Sequence, residues 1–273
     1  MTSGRLIFVL LVFCGWFSPA ASQSDAKILF GLEIEARQAA VDVLENFYLL
    51  DRENTFIKYD RRGTQLAFYN NHRLGTPGHF DLSNPHKILL FYPEHQVIVF
   101  LDRNLTEVTR IDLNQLGMPD IISVAMANDN QIWVYDEFEQ LLKKIDNDGT
   151  SRAVSENSHS IWGKALRPEK LIERYNRLLL FDPTHGLFLY DNLGNPMAHH
   201  SLSDFKFAEF INRRNLLLAH NDGRYFTFSL SSQDLQPLSL PDEIEKQHPT
   251  HISIKGNHIV VLSEKKMSVY RIR

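Results

Sequence analysis

Histidine is the residue type in this sequence that most suggests chemistry, since neutral imidazole is the commonest metal ligand in proteins and the chain has 12 histidines. His79 and Asp81 lie two positions apart, a spacing that places both side chains on one face of a strand. His199 and His200 are adjacent, so in a strand they point to opposite faces and cannot chelate one ion together. We expect surface or structural roles for these histidines.

Two further motifs suggest metal binding but lack part of what it requires. His248 and His251 flank a proline, which excludes a helix between them, and no third ligand is near them in the sequence. Residues 146–149, Asp-Asn-Asp-Gly, resemble the start of a calcium loop, but the glycine is misplaced and the distal glutamate is absent. We therefore predict a hairpin turn at 146–149, and we predict no metal and no cofactor for the protein.

Aspartates recur at the ends of apolar segments, at Asp60, Asp102 and Asp191. Paired acids can carry out glycoside hydrolysis. Their repetition at equivalent positions favours a repeated structural role instead, in which each carboxylate accepts backbone N–H bonds in a turn. The sequence has no G-x-S-x-G, P-loop or G-x-G-x-x-G motif, so we predict that the protein is not an enzyme.

Four residues are candidates for partner binding: Trp162, Arg167, His79 and Asp81. Trp162 and Arg167 fall in a long polar segment, which we expect to be a loop, and loops commonly carry binding residues. His79 and Asp81 lie where an innermost strand of the fold is expected to begin. Trp133 falls in an apolar strand, so we assign it to the core.

The elements that must position these residues form a repeat, in which two apolar strands are joined by a polar turn. The six pairs span residues 47–50 and 55–59, 88–92 and 97–101, 132–135 and 140–145, 178–181 and 186–190, 216–219 and 224–228, and 259–262 and 266–272. The residues opening the six turns are Asp51, Pro93, Asp136, Asp182, Asn221 and Ser263. Successive openings are 42, 43, 46, 39 and 42 residues apart, a period typical of the four-stranded blades of a propeller. The sequence therefore predicts an all-β, six-bladed β-propeller.

The hydrophobic pattern favours a propeller over a sandwich. Residues 97–101 and 178–181 are continuous apolar runs, which are typical of strands buried on both faces. In a propeller the inner and middle strands of a blade pack against both neighbouring blades, while the outermost strand keeps one face in water. Residues 105–113 fit the outermost position, because polar and apolar residues alternate there.

The last unit lacks a fourth strand after residues 266–272. We predict that residues 27–37, in which apolar residues alternate, supply that outer strand and close the ring. An alternative of seven blades requires residues 32–43 to form additional structure. Residues 155–170 and 240–247 break the strand rhythm and are expected to be loops on a propeller face, with one helical turn in the second.

The N-terminal segment has the pattern of a secretory signal. Arg5 precedes an apolar run at residues 6–13, and small residues follow at 20–22. A run of eight residues is too short to span a membrane, which needs about 20. We predict a signal peptide at residues 1–22 and a single propeller domain at residues 23–273 of an exported protein.

The sole cysteine and the charge balance bound the location and the partners. Cys14 lies within the predicted signal, so the mature chain has no disulfide; the alternative, a lipid anchor on Cys14, is disfavoured by the bulky Phe13 before it. The mature chain has 28 basic and 33 acidic residues, with no basic tract. This composition argues against nucleic acid as a partner and against direct attraction to an anionic membrane.

Three segments carry a similarity to known proteins: residues 81–113, residues 131–136 and residues 187–191. In these segments the chain resembles a family of exported, six-bladed propeller-like proteins from Bacteroidota-type bacteria. The resemblance implies a location in the cell envelope and a propeller fold, and the family has no established activity to transfer. In the same broad class, the propeller of the outer-membrane barrel-assembly machinery works as a scaffold, which is an analogy of fold.

Two functions of different classes are compatible with these observations. The first is a non-catalytic periplasmic or envelope propeller that acts as a scaffold for protein partners, within an outer-membrane or secretion assembly, and that associates with the membrane peripherally through a partner. The second is a carbohydrate-binding or hydrolytic propeller with its site in the central channel. Inward-facing His, Asp, Glu and Arg side chains from three or more blades would favour the second.

Overall fold

Six antiparallel sheets of four strands each build the molecule, in a computed structural model that describes residues 26–272. The sheets form a ring, which confirms the predicted six-bladed β-propeller. The predicted signal peptide and Cys14 lie outside the described residues. In every sheet the strands follow one another from the central channel outwards, except that the outermost strand of the last sheet comes from the N-terminal part of the chain.

The first strand and the first three blades have the following bounds. Strand β1 is Ala26–Glu33. Blade 1 contains β2 (Ala36–Val41), β3 (Phe47–Asp51), β4 (Phe56–Tyr59) and β5 (Gln65–Tyr69). Blade 2 contains β6 (His79–Asp81), β7 (Ile88–Tyr92), β8 (Val97–Leu101) and β9 (Glu107–Asp112), and a short 3-10 turn at His72–Leu74 precedes it. Blade 3 contains β10 (Ile121–Met126), β11 (Ile132–Asp136), β12 (Leu141–Ile145) and β13 (Ser151–Val154).

The remaining blades follow the same plan. Blade 4 is preceded by helix α1 (Ser158–Trp162) and contains β14 (Lys170–Arg174), β15 (Arg177–Asp182), β16 (Gly186–Asp191) and β17 (Pro196–His200). Blade 5 contains β18 (Phe205–Phe210), β19 (Asn215–His220), β20 (Tyr225–Ser229) and β21 (Leu235–Pro237). Blade 6 is preceded by helix α2 (Asp242–Glu245) and contains β22 (His251–Lys255), β23 (His258–Ser263) and β24 (Lys266–Ile272), with β1 as its outermost strand.

The hydrophobic core is divided into six clusters, and each cluster lies between two neighbouring blades. Strand β7 shows how one strand serves two clusters. Its residues Ile88, Leu90 and Tyr92 pack towards blade 1, and the alternate residues Leu89 and Phe91 pack towards blade 3. Burying each such side chain stabilises the fold by about 1.5–3 kcal/mol. This two-sided burial is the physical reason for the unbroken apolar runs in the sequence.

Ring closure occurs between β1 and β24, as the alternating N-terminal segment predicts. The predicted strand was too long, since regular pairing ends at Glu33 and the following strand, β2, is the innermost strand of blade 1. Residues 32–43 therefore complete two existing blades and add no sheet, so the seven-bladed alternative is wrong. Strand β2 was not predicted from the sequence, because a strand next to the channel is less apolar than its neighbours.

Phe30 connects the closing strand β1 to blade 1 by side-chain packing. Its ring lies 5.3 Å from that of Phe47 in an edge-to-face arrangement. It also covers Gly63, where an added Cβ would lie 2.7 Å from the Phe30 ring and where the backbone φ of +79° favours glycine. The N-terminal strand is therefore fixed by hydrogen bonding to blade 6 and by side-chain packing on blade 1.

The turns confirm the structural interpretation of the repeated aspartates. At Asp60, Asp102 and Asp191, Oδ1 accepts hydrogen bonds from the backbone N–H groups two and four residues later, at 2.8 or 2.9 Å. Residues 155–170 were expected to be a loop, but they contain α1 and the first residue of β14. Residues 240–247 contain α2, in agreement with the expected helical turn, and Trp133 is fully buried as predicted.

Substituting Phe30→Ala tests the closure. We expect the free energy of unfolding to fall by about 2 kcal/mol, since the aromatic packing on blade 1 is lost while the β1–β24 hydrogen bonds remain. The matched control is Ile28→Ala in the same strand, where the side chain is 48% exposed; its effect should stay within about 0.5 kcal/mol. Denaturant unfolding measures both values, and equal losses would contradict the assignment of Phe30 as the closing contact.

Candidate functional site

The central channel contains a cavity of about 600 Å³. Its walls come mainly from the innermost strands β2, β6, β14, β18 and β22, with Ile122 as the contribution of β10. Turns between second and third strands, at Pro93 and at Pro183 and Thr184, extend the walls at one end. Small-molecule sites in proteins commonly have volumes of roughly 300–1,000 Å³. The cavity therefore has the size of a site for a small organic molecule.

The charged side chains of the cavity are mostly basic. Five basic residues line it: Arg167, Lys170, Arg174, Lys206 and Lys255. Three acidic residues line it: Asp81, Glu169 and Glu209. Two histidines complete the titratable set: His79 and His251. These groups come from blades 2, 4, 5 and 6 and from the segment before β14, so only the closed ring brings them together.

Strand direction sorts these side chains along the channel, because the innermost strands of a propeller all run the same way. The entry group comprises the first residues of three strands: His79, Lys170 and His251. The base group comprises the last residues of the same strands: Asp81, Arg174 and Lys255. The turns at Pro93 and Pro183 lie level with the entry group, so we call that side of the ring the entry face.

The two histidines of the entry group hold neighbouring blades together. His79 Nε2 lies 2.7 Å from the carbonyl oxygen of Val124 in blade 3, and His251 Nε2 lies 3.1 Å from that of Ala39 in blade 1. A carbonyl only accepts, so Nε2 is the donor in each ring. Burial lowers the pKa of His79, and burial together with the Lys170 charge lowers the pKa of His251 to about 4. Both rings are therefore neutral at pH 7.

Lys170 is the cation of the entry group. Its Nζ lies 4.7 Å from the centre of the Phe207 ring, within the range of a cation–π contact. Burial lowers the pKa of Lys170 more than the charges of Glu209 and Asp81 raise it. No carboxylate oxygen of residues 26–272 lies within 4.0 Å of the Lys170 ammonium. The side chain is therefore a desolvated cation without a direct ionic partner in this part of the chain.

Asp81 and Arg174 form an ion pair in the base group, with Arg174 Nη2 3.6 Å from Asp81 Oδ1. The backbone N–H groups of Ser83 and Met126 donate to the Asp81 carboxylate at 2.7 and 3.0 Å. Burial alone would raise the pKa of Asp81, but Arg174 and these hydrogen bonds outweigh it, so the pKa lies below its usual value. Asp81 is thus ionised and fully occupied by protein partners.

Three of the four predicted site residues meet in the cavity, and the fourth does not. His79, Asp81 and Arg167 are lining residues. Trp162 ends α1 outside the cavity lining, where its ring packs on Phe188 and its Nε1 donates to the Tyr190 hydroxyl at 2.8 Å. The expectation that Trp162 lies in a loop is therefore wrong, although the partner-binding role of all four residues stays a prediction.

Sequence reasoning missed the lysines of the site and Glu209. The signal that could have found these residues is their position in the sequence. Each of them lies in a short half-polar segment just before a recognised strand pair. Lys170 and Arg174 are the first and last residues of β14, just before the pair in blade 4, and Lys206 and Glu209 lie in the corresponding segment of blade 5. These segments are innermost strands. Several of their side chains line the channel cavity, so these two strands lack the continuous apolar runs that identified the other strands.

Three further findings concern residues 26–272. These residues contain no group of three His, Cys, Asp or Glu side chains placed to hold a metal ion. No helix within them combines the length and the apolar character needed to cross a membrane.

His199 and His200 point to opposite faces of β17, as expected, with His199 stacked on Phe188 and His200 against Phe228.

The chain matches no protein-family model and no curated protein sequence. It has the β-propeller fold. A catalytically inactive virginiamycin B lyase variant from Staphylococcus aureus, solved with quinupristin, aligns with a TM-score of 0.66 at 11% identity, over 91% of this chain and 100% of that chain. A streptogramin B lyase aligns with a TM-score of 0.60 at 11% identity, over 91% and 98% of the two chains. The Neurospora crassa Pan2 WD40 domain aligns with a TM-score of 0.57 at 11% identity, over 91% and 96%.

At this level of identity the similarities establish the fold and nothing finer. The resemblance to an exported bacterial family remains a prediction. So does the absence of enzyme activity, because the similar structures include both lyases and a WD40 domain. The function must therefore be argued from the site of this chain.

Substituting His251→Gln tests the pH dependence of the entry group. The folded chain favours neutral His251, so its contribution to stability is complete above the usual pKa of 6.5 and is lost as the pH falls from 6.5 towards 4. We expect the wild type to lose about 2 kcal/mol more stability than the variant between neutral pH and pH of about 4.5. Denaturant unfolding at the two pH values measures this difference.

The matched control is His86→Gln, because His86 is exposed. It should retain the full acid sensitivity of the wild type. If His251→Gln were as acid-sensitive as the wild type, the ring would not be held neutral by the channel.

Proposed function

We propose that this protein is a non-catalytic binding propeller that takes a small molecule into its central channel. The observation that carries the proposal is the convergence of charged and polar side chains from four blades on one cavity of about 600 Å³. A ligand site in the channel requires such a convergence of side chains, whereas a protein scaffold does not. The convergence favours the ligand-binding alternative of the two functions that the sequence suggests.

The site is rigid and preorganised, which supports binding. Its walls are strands of a closed ring, and several of its polar groups are fixed before any ligand arrives. His79 and His251 are tied to carbonyl oxygens of adjacent blades, and Asp81 is tied to Arg174. A preorganised site loses little conformational entropy when it binds, so more of the contact energy appears as affinity.

The cellular setting of the proposal is the periplasm or the outer envelope. It is supported by the apolar run and small-residue pattern of residues 1–22. A small polar molecule of that compartment would then be the natural ligand. The alternative of a lipid anchor on Cys14 would place the same propeller at a membrane surface, with its channel still open to ligand.

A protein scaffold is the second candidate, and one observation favours it. Phe138 lies in the turn between β11 and β12, on the entry face, and is 84% exposed. Its neighbour Glu137 forms an ion pair with Arg167, with Arg167 Nε 3.3 Å from Glu137 Oε1. An exposed aromatic beside a charged pair is typical of a contact point for a protein partner. Arg167 would then serve both the face and the channel.

A bulky residue at the channel entrance tests the channel site. Thr184 is exposed in the β15–β16 turn that lines the entrance. We expect Thr184→Trp to abolish ligand binding, because the indole would obstruct the entrance while the blades stay intact. The matched control is Leu193→Trp, at an exposed turn on the opposite face of the same blade.

The measurement is a thermal-shift screen of neutral sugars, sugar acids, amino acids and dicarboxylates at millimolar concentration, followed by calorimetry of any compound that binds. Compounds that stabilise the wild type and Leu193→Trp, but not Thr184→Trp, would support the channel site. A screen without any binder, together with a cross-linked envelope protein that Phe138→Ala releases, would overturn it in favour of the scaffold.

A further inference from the structure

We infer that the channel ligand is a small organic anion, which the ammonium groups of Lys170, Lys206 and Lys255 attract. This inference rests on the proposed channel-binding function and specifies its ligand class. The shared chemistry is a negatively charged group, carboxylate or phosphate, on an organic body.

The charge of the cavity is opposite in sign to that of the chain. The sequence carries a formal charge of −4, whereas the cavity lining has five basic and three acidic side chains and two histidines held neutral. A narrow channel with walls of low dielectric concentrates such a local excess of charge. Anions would therefore be drawn into the channel of a protein that repels them elsewhere.

The acids of the cavity do not neutralise its lysines by direct contact. Asp81 is paired with Arg174, and Glu209 accepts from the Ser253 hydroxyl at 3.3 Å. Glu169 lies at the entrance, where partial desolvation together with the charge of Asp182 raises its pKa. Within residues 26–272 no carboxylate oxygen lies within 4.0 Å of the ammonium group of any of the three lysines: Lys170, Lys206 and Lys255.

Burial disfavours the charged form of two of these lysines. The pKa values of Lys170 and Lys255 are lowered, first by burial and then by the nearby guanidinium of Arg174. Glu209 and Asp81 act in the opposite direction and are outweighed. A ligand anion would offset this desolvation, since an ion pair in a buried site recovers part of the energy that each isolated charge has lost. The cavity is thus electrostatically complementary to a negative charge.

The shape of the cavity indicates an organic anion. A volume of about 600 Å³ is far larger than an inorganic ion requires. Part of the lining on blades 2 and 3 is apolar: Phe80, Leu82, Phe91 and Ile122. The lysines lie on β14, β18 and β22, on the other side of the ring from the aromatic residues of β6 and β7. The ligand would place its charge towards the lysines and its carbon frame against this apolar wall.

The test compares each anion with a neutral compound of similar shape. The pairs are glucuronate with glucose and succinate with succinamide, and glucose phosphate and inorganic phosphate are added to distinguish the sources of charge. Isothermal titration measures affinity for the full chain at low and moderate salt. We expect anions to bind at least tenfold more tightly than their neutral counterparts, since hydrogen bonds to charged groups each contribute more than neutral ones.

The lysine variants locate the binding. We expect Lys170→Met and Lys255→Met each to weaken anion binding about tenfold or more, because each removes one charged donor. Neither variant should lower the melting temperature, since each removes a desolvated charge from the channel. The matched control Lys265→Met, in an exposed hairpin away from the cavity, should bind as the wild type does. Affinity should fall as the pH rises through the pKa values of the channel lysines, where the ammonium groups lose their protons.

Each result decides one part of the argument. Binding of neutral compounds in the channel, with anions no tighter, would overturn the anion assignment and leave the channel-binding function standing. Anion binding that Lys170→Met and Lys255→Met leave unchanged would place the anion elsewhere and overturn the assignment too. Binding of inorganic phosphate alone would contradict the organic ligand, and no binding of any compound would count against both proposals.

Discussion

The packing of each blade against two neighbours is the interaction on which the rest of this structure depends. A four-stranded sheet with apolar residues on both faces cannot be stable alone, so each blade needs a blade on either side. Six such interfaces satisfy every blade only if the ring closes. The N-terminal strand closes it by joining the last sheet and placing Phe30 on blade 1.

Polar contacts across the same interfaces set the relative positions of the blades. Lys58 in blade 1 and Lys144 in blade 3 occupy equivalent positions, and each ammonium group donates to a backbone carbonyl of the next blade, at 2.7 and 3.0 Å. Trp133 Nε1 donates to the buried Glu173 carboxylate of blade 4 at 2.6 Å. Non-directional apolar packing would allow blades to slide, so these directional bonds fix the orientation that the channel inherits.

The channel follows from the same geometry. Six innermost strands around an axis cannot fill the space at the centre with their side chains, so that space remains open and its walls tolerate polar groups. Some of those groups stabilise the ring, as the bonds of His79 and His251 to neighbouring strands show. Others, such as Lys170 and Lys255, contribute no ion pair of their own within the described chain. This contrast separates the residues that build the ring from those that a ligand would use.

The sequence determined the fold of this protein almost completely. Its apolar strand pairs and their spacing near 42 residues predicted the number of blades and the approximate bounds of the two middle strands of each blade, because periodic burial leaves a periodic pattern in the chain. It also gave the structural role of Asp102 and its equivalents, since turn geometry depends on residues a few positions apart. The innermost strands were the weak point, because their half-polar pattern resembles that of a loop.

Tertiary structure alone decided the site. His79, Lys170 and His251 are separated by about 90 and 80 residues in the chain, and only ring closure places them around one axis. No local pattern reports which side chain of an innermost strand faces the channel, or that Trp162 turns inwards to Tyr190. Local sequence encodes each blade, whereas the electrostatics of the channel are a property of all six blades together. The physical reason is that electrostatic interactions act through space. In a closed ring, residues that are neighbours in space are remote in sequence.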